Sequence, residues 1–164
     1  MKAFGITGAS GGGKTTLITA LLPQLRGRGL KVSTIKHAHH GFDLDRPGKD
    51  SWLHRQAGAE EVMLVSGNRW ALTRDVASEA ECDLDVLLSR MAAADLVLVE
   101  GFRASAIPKL EVWRTDIGKA PYWPDDASIL AVATDQPETV EGRKALALSG
   151  HAAIADFILA ECAS

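Results

Sequence analysis

Residues Gly8 to Thr16 read Gly-Ala-Ser-Gly-Gly-Gly-Lys-Thr-Thr and satisfy the pattern Gly-x4-Gly-Lys-[Ser/Thr]. Each residue type in that spacing has a chemical reason. The glycines let the chain curl until successive backbone N–H groups converge on one point, and a helix N-terminus directly behind them adds partial positive charge. Such a nest holds a polyphosphate. The Lys14 ammonium is placed to reach the β and γ phosphates, and the Thr15 hydroxyl to ligate the Mg²⁺ that bridges them. The alternative is a merely flexible Gly-rich turn, against which the apolar strand before the loop and the helix after it weigh.

A second candidate lies in Asp95-Leu96-Val97-Leu98-Val99-Glu100-Gly101, an apolar run ending in a carboxylate. In phosphate-loop proteins a carboxylate at the end of a neighbouring strand holds magnesium through water or orients an attacking water, and here that residue is Glu100. Between these two segments runs a polar stretch from Lys36 to Gly48 that contains His37, His39, His40, Asp43 and Asp45. Either aspartate is a candidate to complete the metal shell, and either is a candidate base near the γ-phosphate. The close-set imidazoles suit Zn²⁺ or Ni²⁺, but a structural zinc site needs four ligands and neither cysteine is adjacent in sequence. Hydrogen bonding to phosphate or substrate oxygens, strengthened by the fixed charge of Lys36, is the preferred reading. Finally, Thr134-Asp135 follows an apolar run. A carboxylate there accepts hydrogen bonds from N1–H and the 2-amino group of guanine, donors that adenine lacks, so Asp135 favours GTP over ATP.

These residues need elements to position them. Ala3 to Ile6 is apolar and β-like, and Leu17 to Leu22 continues a helix that begins near Lys14; Pro23 is expected to kink or shorten it before Gly27 and Gly29. Leu30 to Lys36 reads as a second strand. A short helix from Asp50 or Ser51 to Ala57 is stopped by Gly58. Glu61 to Val65 and Arg69 to Thr73 form a hairpin across Ser66-Gly67-Asn68. Asp83 to Ala93 places Leu84, Leu87, Leu88 and Met91 on one helical face, suited to packing on a sheet. Leu96 to Val99, Lys109 to Trp113 and Ile129 to Ala133 are further strands, and Ala152 to Cys162 a last helix. Thr115 to Asp126, with two prolines and Gly118, is the least structured stretch and reads as a lid or a surface loop. Strands alternating with helices behind a phosphate loop specify an α/β fold of the P-loop NTPase type, a doubly wound and mostly parallel sheet flanked by helices, with a β-hairpin extension.

The bulk composition agrees. A chain of 164 residues with 46% apolar content suits one domain, 1–164, with a single core. A net charge of −3 gives no general attraction to nucleic acid or acidic membranes, so neither is an expected partner. Two distant cysteines suggest no disulfide framework, and no apolar stretch approaches a membrane span. A signal peptide has no room before the first strand, so a cytoplasmic location is expected. Trp52, Trp70, Trp113 and Trp123 read as packing or interface residues, and Arg103 and Lys109 as solvated charge or contacts to an anionic substrate.

The phosphate loop, Lys36-His37-Ala38-His39-His40 with Phe42-Asp43 and Asp45, Pro47-Gly48-Lys49-Asp50-Ser51, Ala57-Gly58-Ala59, Arg69-Trp70-Ala71-Leu72 and Val99-Glu100-Gly101-Phe102 together resemble one family. It is the molybdopterin-guanine dinucleotide biosynthesis protein B (MobB) family, and the likeness covers nearly the whole chain. The resemblance implies a cytoplasmic, homodimeric GTP-binding adaptor with weak GTPase activity. It would assist the molybdenum cofactor guanylyltransferase (MobA family) in attaching GMP to molybdopterin, giving molybdopterin guanine dinucleotide. It also implies site roles. Ser10, Gly11, Gly12, Gly13, Lys14, Thr15 and Thr16 would cradle phosphates, Thr15 and Glu100 would address Mg²⁺, and the Lys36 to Asp45 loop would face the nucleotide or the pterin phosphate. Two alternatives stand beside it: a small-molecule kinase using Asp43 or Asp45 as base, and a metal-delivery GTPase using His37, His39 and His40.

Overall fold

The apolar run within Lys2–Thr7 forms strand β1, and the turn after it feeds helix α1, Lys14–Gly27. The computed structural model describes residues 1–38 and 44–163. The remaining elements in chain order are β2 (Val32–Lys36), α2 (Asp50–Gln56), β3 (Glu61–Ser66), β4 (Arg69–Arg74), α3 (Leu84–Arg90), β5 (Leu96–Glu100), β6 (Lys109–Trp113), β7 (Ile129–Thr134), β8 (Lys144–Ala147) and α4 (His151–Ala163). They divide into two compact units, one of Met1–His37 and the chain from Ala92 onward, the other of Ala38–Met91.

The first unit is built on a six-stranded sheet of order β2-β5-β1-β6-β7-β8 in which the neighbouring strands run parallel. A parallel sheet buries both faces, which is why β5 reads as an unbroken apolar run. Its successive side chains point to opposite faces. Leu96 and Leu98 join Phe4, Ile6, Leu110, Val112, Ala131 and Ala133 under helices α1 and α4. Val97 and Val99, on the other face, are fully buried as well. From α1 come Leu17, Ile18, Leu21 and Leu25, at helical spacing, and from α4 come Ile154, Phe157 and Ile158. The Phe4 and Phe157 rings meet edge to face at 6.2 Å.

Pro23 does not shorten α1, which runs through it to Gly27. A proline in the tenth of fourteen positions removes one N–H donor, and the buried leucines on both sides, Leu21 and Leu25, hold the helix to the sheet across that gap. Strand β8 went unforeseen, because Lys-Ala-Leu-Ala has the composition of a helix and becomes a strand only by pairing with β7.

The second unit carries the antiparallel hairpin, in which Ser66 pairs with Arg69 around a two-residue turn. Helix α3 is shorter than its apolar periodicity suggests, and of its four predicted face residues only Leu84 is buried. Among the described residues no helix is long and apolar enough to cross a membrane.

Candidate functional site

The phosphate loop follows β1, the strand flanked on its two sides by β5 and β6. In an open parallel sheet a crevice forms at the carboxyl ends of the strands, where the connections diverge. The loop turns tightly, Gly12 N–H donating to the Ala9 carbonyl at 3.1 Å. Gly8 is required twice over: its φ is +131°, and a Cβ there would lie 2.2 Å from the Val112 carbonyl oxygen. Gly13 caps α1 with φ +98° and brings no side-chain hydrogen bond. The first helical bond is Leu17 N–H to Gly13 O, so the N–H groups of Lys14, Thr15 and Thr16 have no acceptor inside the helix. A terminus of this kind suits an anion.

Lys14 folds back over the loop, its Nζ donating to the carbonyls of Gly8 and Ala9, each at 2.9 Å. Burial lowers its pKa, opposed by the negative charge of Glu100 and reinforced by the ammonium of Lys36. Glu100 ends β5 beside the helix. Thr15 Oγ1 donates toward its carboxylate at 3.1 and 3.2 Å, and Lys36 Nζ lies 3.3 Å from its Oε1 and 3.4 Å from Thr15 Oγ1. The sheet register makes Lys36 and Glu100 direct partners on adjacent strands. Gly101, with φ +92°, then turns the chain under His37, where a Cβ would stand 2.8 Å from His37 Cβ. His37 N–H donates to Glu100 O at 2.9 Å, and its ring lies 4.8 Å from that of Phe102.

The structure therefore brings Lys14, Thr15, Lys36, His37 and Glu100 together. The hydroxyl and carboxylate are hard oxygen donors of the kind Mg²⁺ selects, and a cationic group already rests against both. The residues fit that metal. Asp135 sits elsewhere on the same edge of the sheet, just past β7 and thus two strands, roughly 10 Å, from β1. Its Oδ1 accepts from Thr134 Oγ1 at 3.4 Å, and its Oδ2 lies 3.8 Å from Arg114 Nε, a buried nitrogen without a hydrogen-bond partner. Asp45 belongs to the second unit, buried, with its Oδ2 accepting from Arg55 Nε at 3.1 Å. His39, His40 and Asp43 lie outside the described residues. Among the described residues no three His, Cys, Asp or Glu side chains are grouped to hold a metal.

Sequence reasoning missed a buried polar pair on β6. Lys109, expected as surface charge or a substrate contact, is fully buried, its ammonium donating to Ser105 O and to Ser128 Oγ. Its stem passes Gly5, where a Cβ would stand 2.7 Å from Lys109 Cγ. Glu111, on the same strand face, accepts from the N–H groups of Tyr122 and Trp123 at 2.9 to 3.0 Å. Burial raises its pKa, against those hydrogen bonds and the charge of Arg103. The 115–126 segment is thereby tied to the sheet, with Trp123 buried against Trp113 and Arg103 stacked 3.9 Å above the Tyr122 ring. The Lys-x-Glu of β6 was the only signal in the sequence, and it resembles any exposed strand.

The model of the family "Molybdopterin guanine dinucleotide synthesis protein B", MobB, matches residues 3–135. The chain belongs to the MobB family. It is 42% identical over 155 residues to the molybdopterin-guanine dinucleotide biosynthesis adapter protein of Haemophilus influenzae, covering 94% of this chain and 86% of that one. The corresponding adapter protein of Escherichia coli is 41% identical over 153 residues, covering 92% and 87%. A crystal structure of molybdopterin-guanine biosynthesis protein B superposes with a TM-score of 0.79 at 35% identity over 99% of each chain. The MobB match spans the phosphate loop, Lys36, His37, Glu100 and Asp135 alike.

Proposed function

We propose that this chain is a GTP-binding adapter in molybdopterin guanine dinucleotide biosynthesis, which binds GTP at the phosphate loop and presents it to a guanylyltransferase of the MobA family. The observation that carries the reading is the meeting of Lys14, Thr15 and Glu100 behind a helix N-terminus, in a chain of the MobB family. The backbone from Ser10 to Thr16 holds the phosphate oxygens, and Lys14 leaves the Gly8 and Ala9 carbonyls to take up phosphate. Thr15 and Glu100 would hold Mg²⁺, which would offset the phosphate charge when bound. Asp135 reads N1–H and the 2-amino group of guanine.

Hydrolysis is slow in this reading. Glu100 is held by Thr15, and Arg103 is engaged on Tyr122, so these side chains bind and orient rather than attack. The protein works in the cytoplasm as a homodimer. The surface assigned to the dimer is one face of the hairpin, where the cross-strand pairs Met63–Leu72 and Val65–Trp70 present four exposed apolar side chains. Molybdopterin or its guanine dinucleotide is the product-side partner.

Calorimetric titration tests the core of this reading. GTP with Mg²⁺ is expected to bind more tightly than ATP, and Lys14→Ala to weaken GTP roughly 10- to 100-fold, as for loss of a charged hydrogen-bonding group. A pull-down of the guanylyltransferase is expected to strengthen with GTP for the wild type and not for Lys14→Ala. Unchanged GTP affinity in that variant would remove the phosphate assignment.

A further inference from the structure

The contact that the phosphate-binding reading does not use is the one made by Lys36. Its ammonium touches both groups that address the metal, 3.3 Å from Glu100 Oε1 and 3.4 Å from Thr15 Oγ1. This is a consequence of register: Lys36 ends β2, Glu100 ends β5, and the parallel pairing sets them side by side at the edge of the sheet. A cation in contact with a carboxylate and a hydroxyl, on the two residues that would bind Mg²⁺, stands where the metal's charge is needed. We propose that Lys36 is a built-in counter-cation of the metal position, which neutralises Glu100 until Mg²⁺ arrives with the nucleotide and displaces it. The proposal rests on the GTP-binding reading and adds to it a residue that sets the metal requirement.

Three considerations support the exchange. An ammonium and a divalent ion cannot share one carboxylate oxygen at contact distance without strong repulsion, so one must leave. The Lys36 side chain is 60% exposed while that of Glu100 is 12% exposed, so the lysine is the mobile partner and its long stem can carry the charge into solvent. Lys14, whose ammonium is held by the Gly8 and Ala9 carbonyls, also feels the charge of Glu100, so the carboxylate faces two cations before any metal binds. Mg²⁺ is then favoured together with the phosphates, whose charge attracts Lys36 away from Glu100. Lys36 would act as a positioning residue that couples metal entry to nucleotide entry.

The test is a titration of Mg²⁺ into the protein in the presence of saturating GDP, which has no γ-phosphate for Lys36 to contact, with calorimetry as the readout. Lys36→Met is expected to lower the half-saturating Mg²⁺ concentration about three- to tenfold, the effect of removing one partly solvated competing charge. Lys36→Arg, which keeps the charge, is expected to stay near the wild type. An unchanged or higher Mg²⁺ requirement in Lys36→Met overturns the proposal while leaving GTP binding intact. Absence of any GDP or GTP binding by the wild type overturns the underlying reading and this proposal with it. Thermal unfolding of nucleotide-free Lys36→Met checks that the fold is retained.

Discussion

The two units of the chain bury their apolar residues very differently. In the first, Leu96 to Val99 are at most 2% exposed, and every strand of the sheet is backed by helices or by an anchored loop. In the second, the hairpin leaves Val65 72% exposed and Trp70 64% exposed, and Val62 and Leu84 are its buried apolar residues among those described. Chemistry needs side chains held to a fraction of an ångström, which the packed sheet supplies at the strand ends carrying Lys36 and Glu100. A surface that contacts another chain needs apolar area left uncovered, which the hairpin supplies. The contrast separates a unit packed tightly around the phosphate loop from one whose hairpin leaves apolar side chains uncovered.

The largest expected effect breaks the contrast at its strong side. Leu98→Ala in β5 should cost about 2–5 kcal/mol in urea unfolding, as other buried leucines do, whereas Leu72→Ala on the hairpin should stay near about 0.5 kcal/mol in the monomer. Equal costs would mean that the two units are packed alike. Next in size, Val65→Asp should weaken self-association about tenfold or more by placing a charge in the apolar patch, measured by sedimentation, while GTP affinity is unchanged. A variant as dimeric as the wild type would move the interface away from the hairpin. The smallest effect sharpens the packing on the first unit's less regular face. Burial raises the pKa of Glu111 in the folded state, so ionising it costs the native form more than the unfolded one. Its contribution is therefore full below the ordinary glutamate value of 4.5 and is lost as pH rises through the raised native value. Glu111→Gln should lack this decline, so the wild type should lose stability relative to the variant across that window in urea midpoints. A pH-independent difference would show that Glu111 does not titrate there.

Much of the first unit was legible because local physics repeats along it. The phosphate loop is contiguous, β5 is apolar throughout, and α4 shows its period in Ile154, Phe157 and Ile158. Less was legible where distant residues decide. Lys-Ala-Leu-Ala becomes β8 through its partner strand, α1 survives Pro23 through tertiary packing, and the 115–126 segment is anchored by a carboxylate on β6. Lys109 looked like surface charge because burial of an ammonium depends on Ser105 and Ser128 being brought to it.

By itself the sequence determined the phosphate-loop motif and the layered α/β plan, because glycines, a lysine and a threonine within nine residues need only one turn to act together, and hydrophobic period is a local property. The tertiary structure alone decided which charges meet. Lys36 and Glu100 are 64 positions apart in the chain, and only the parallel register of β2 against β5 places the ammonium on the carboxylate. Electrostatic contact falls off with distance in space, and no spacing along the chain encodes it.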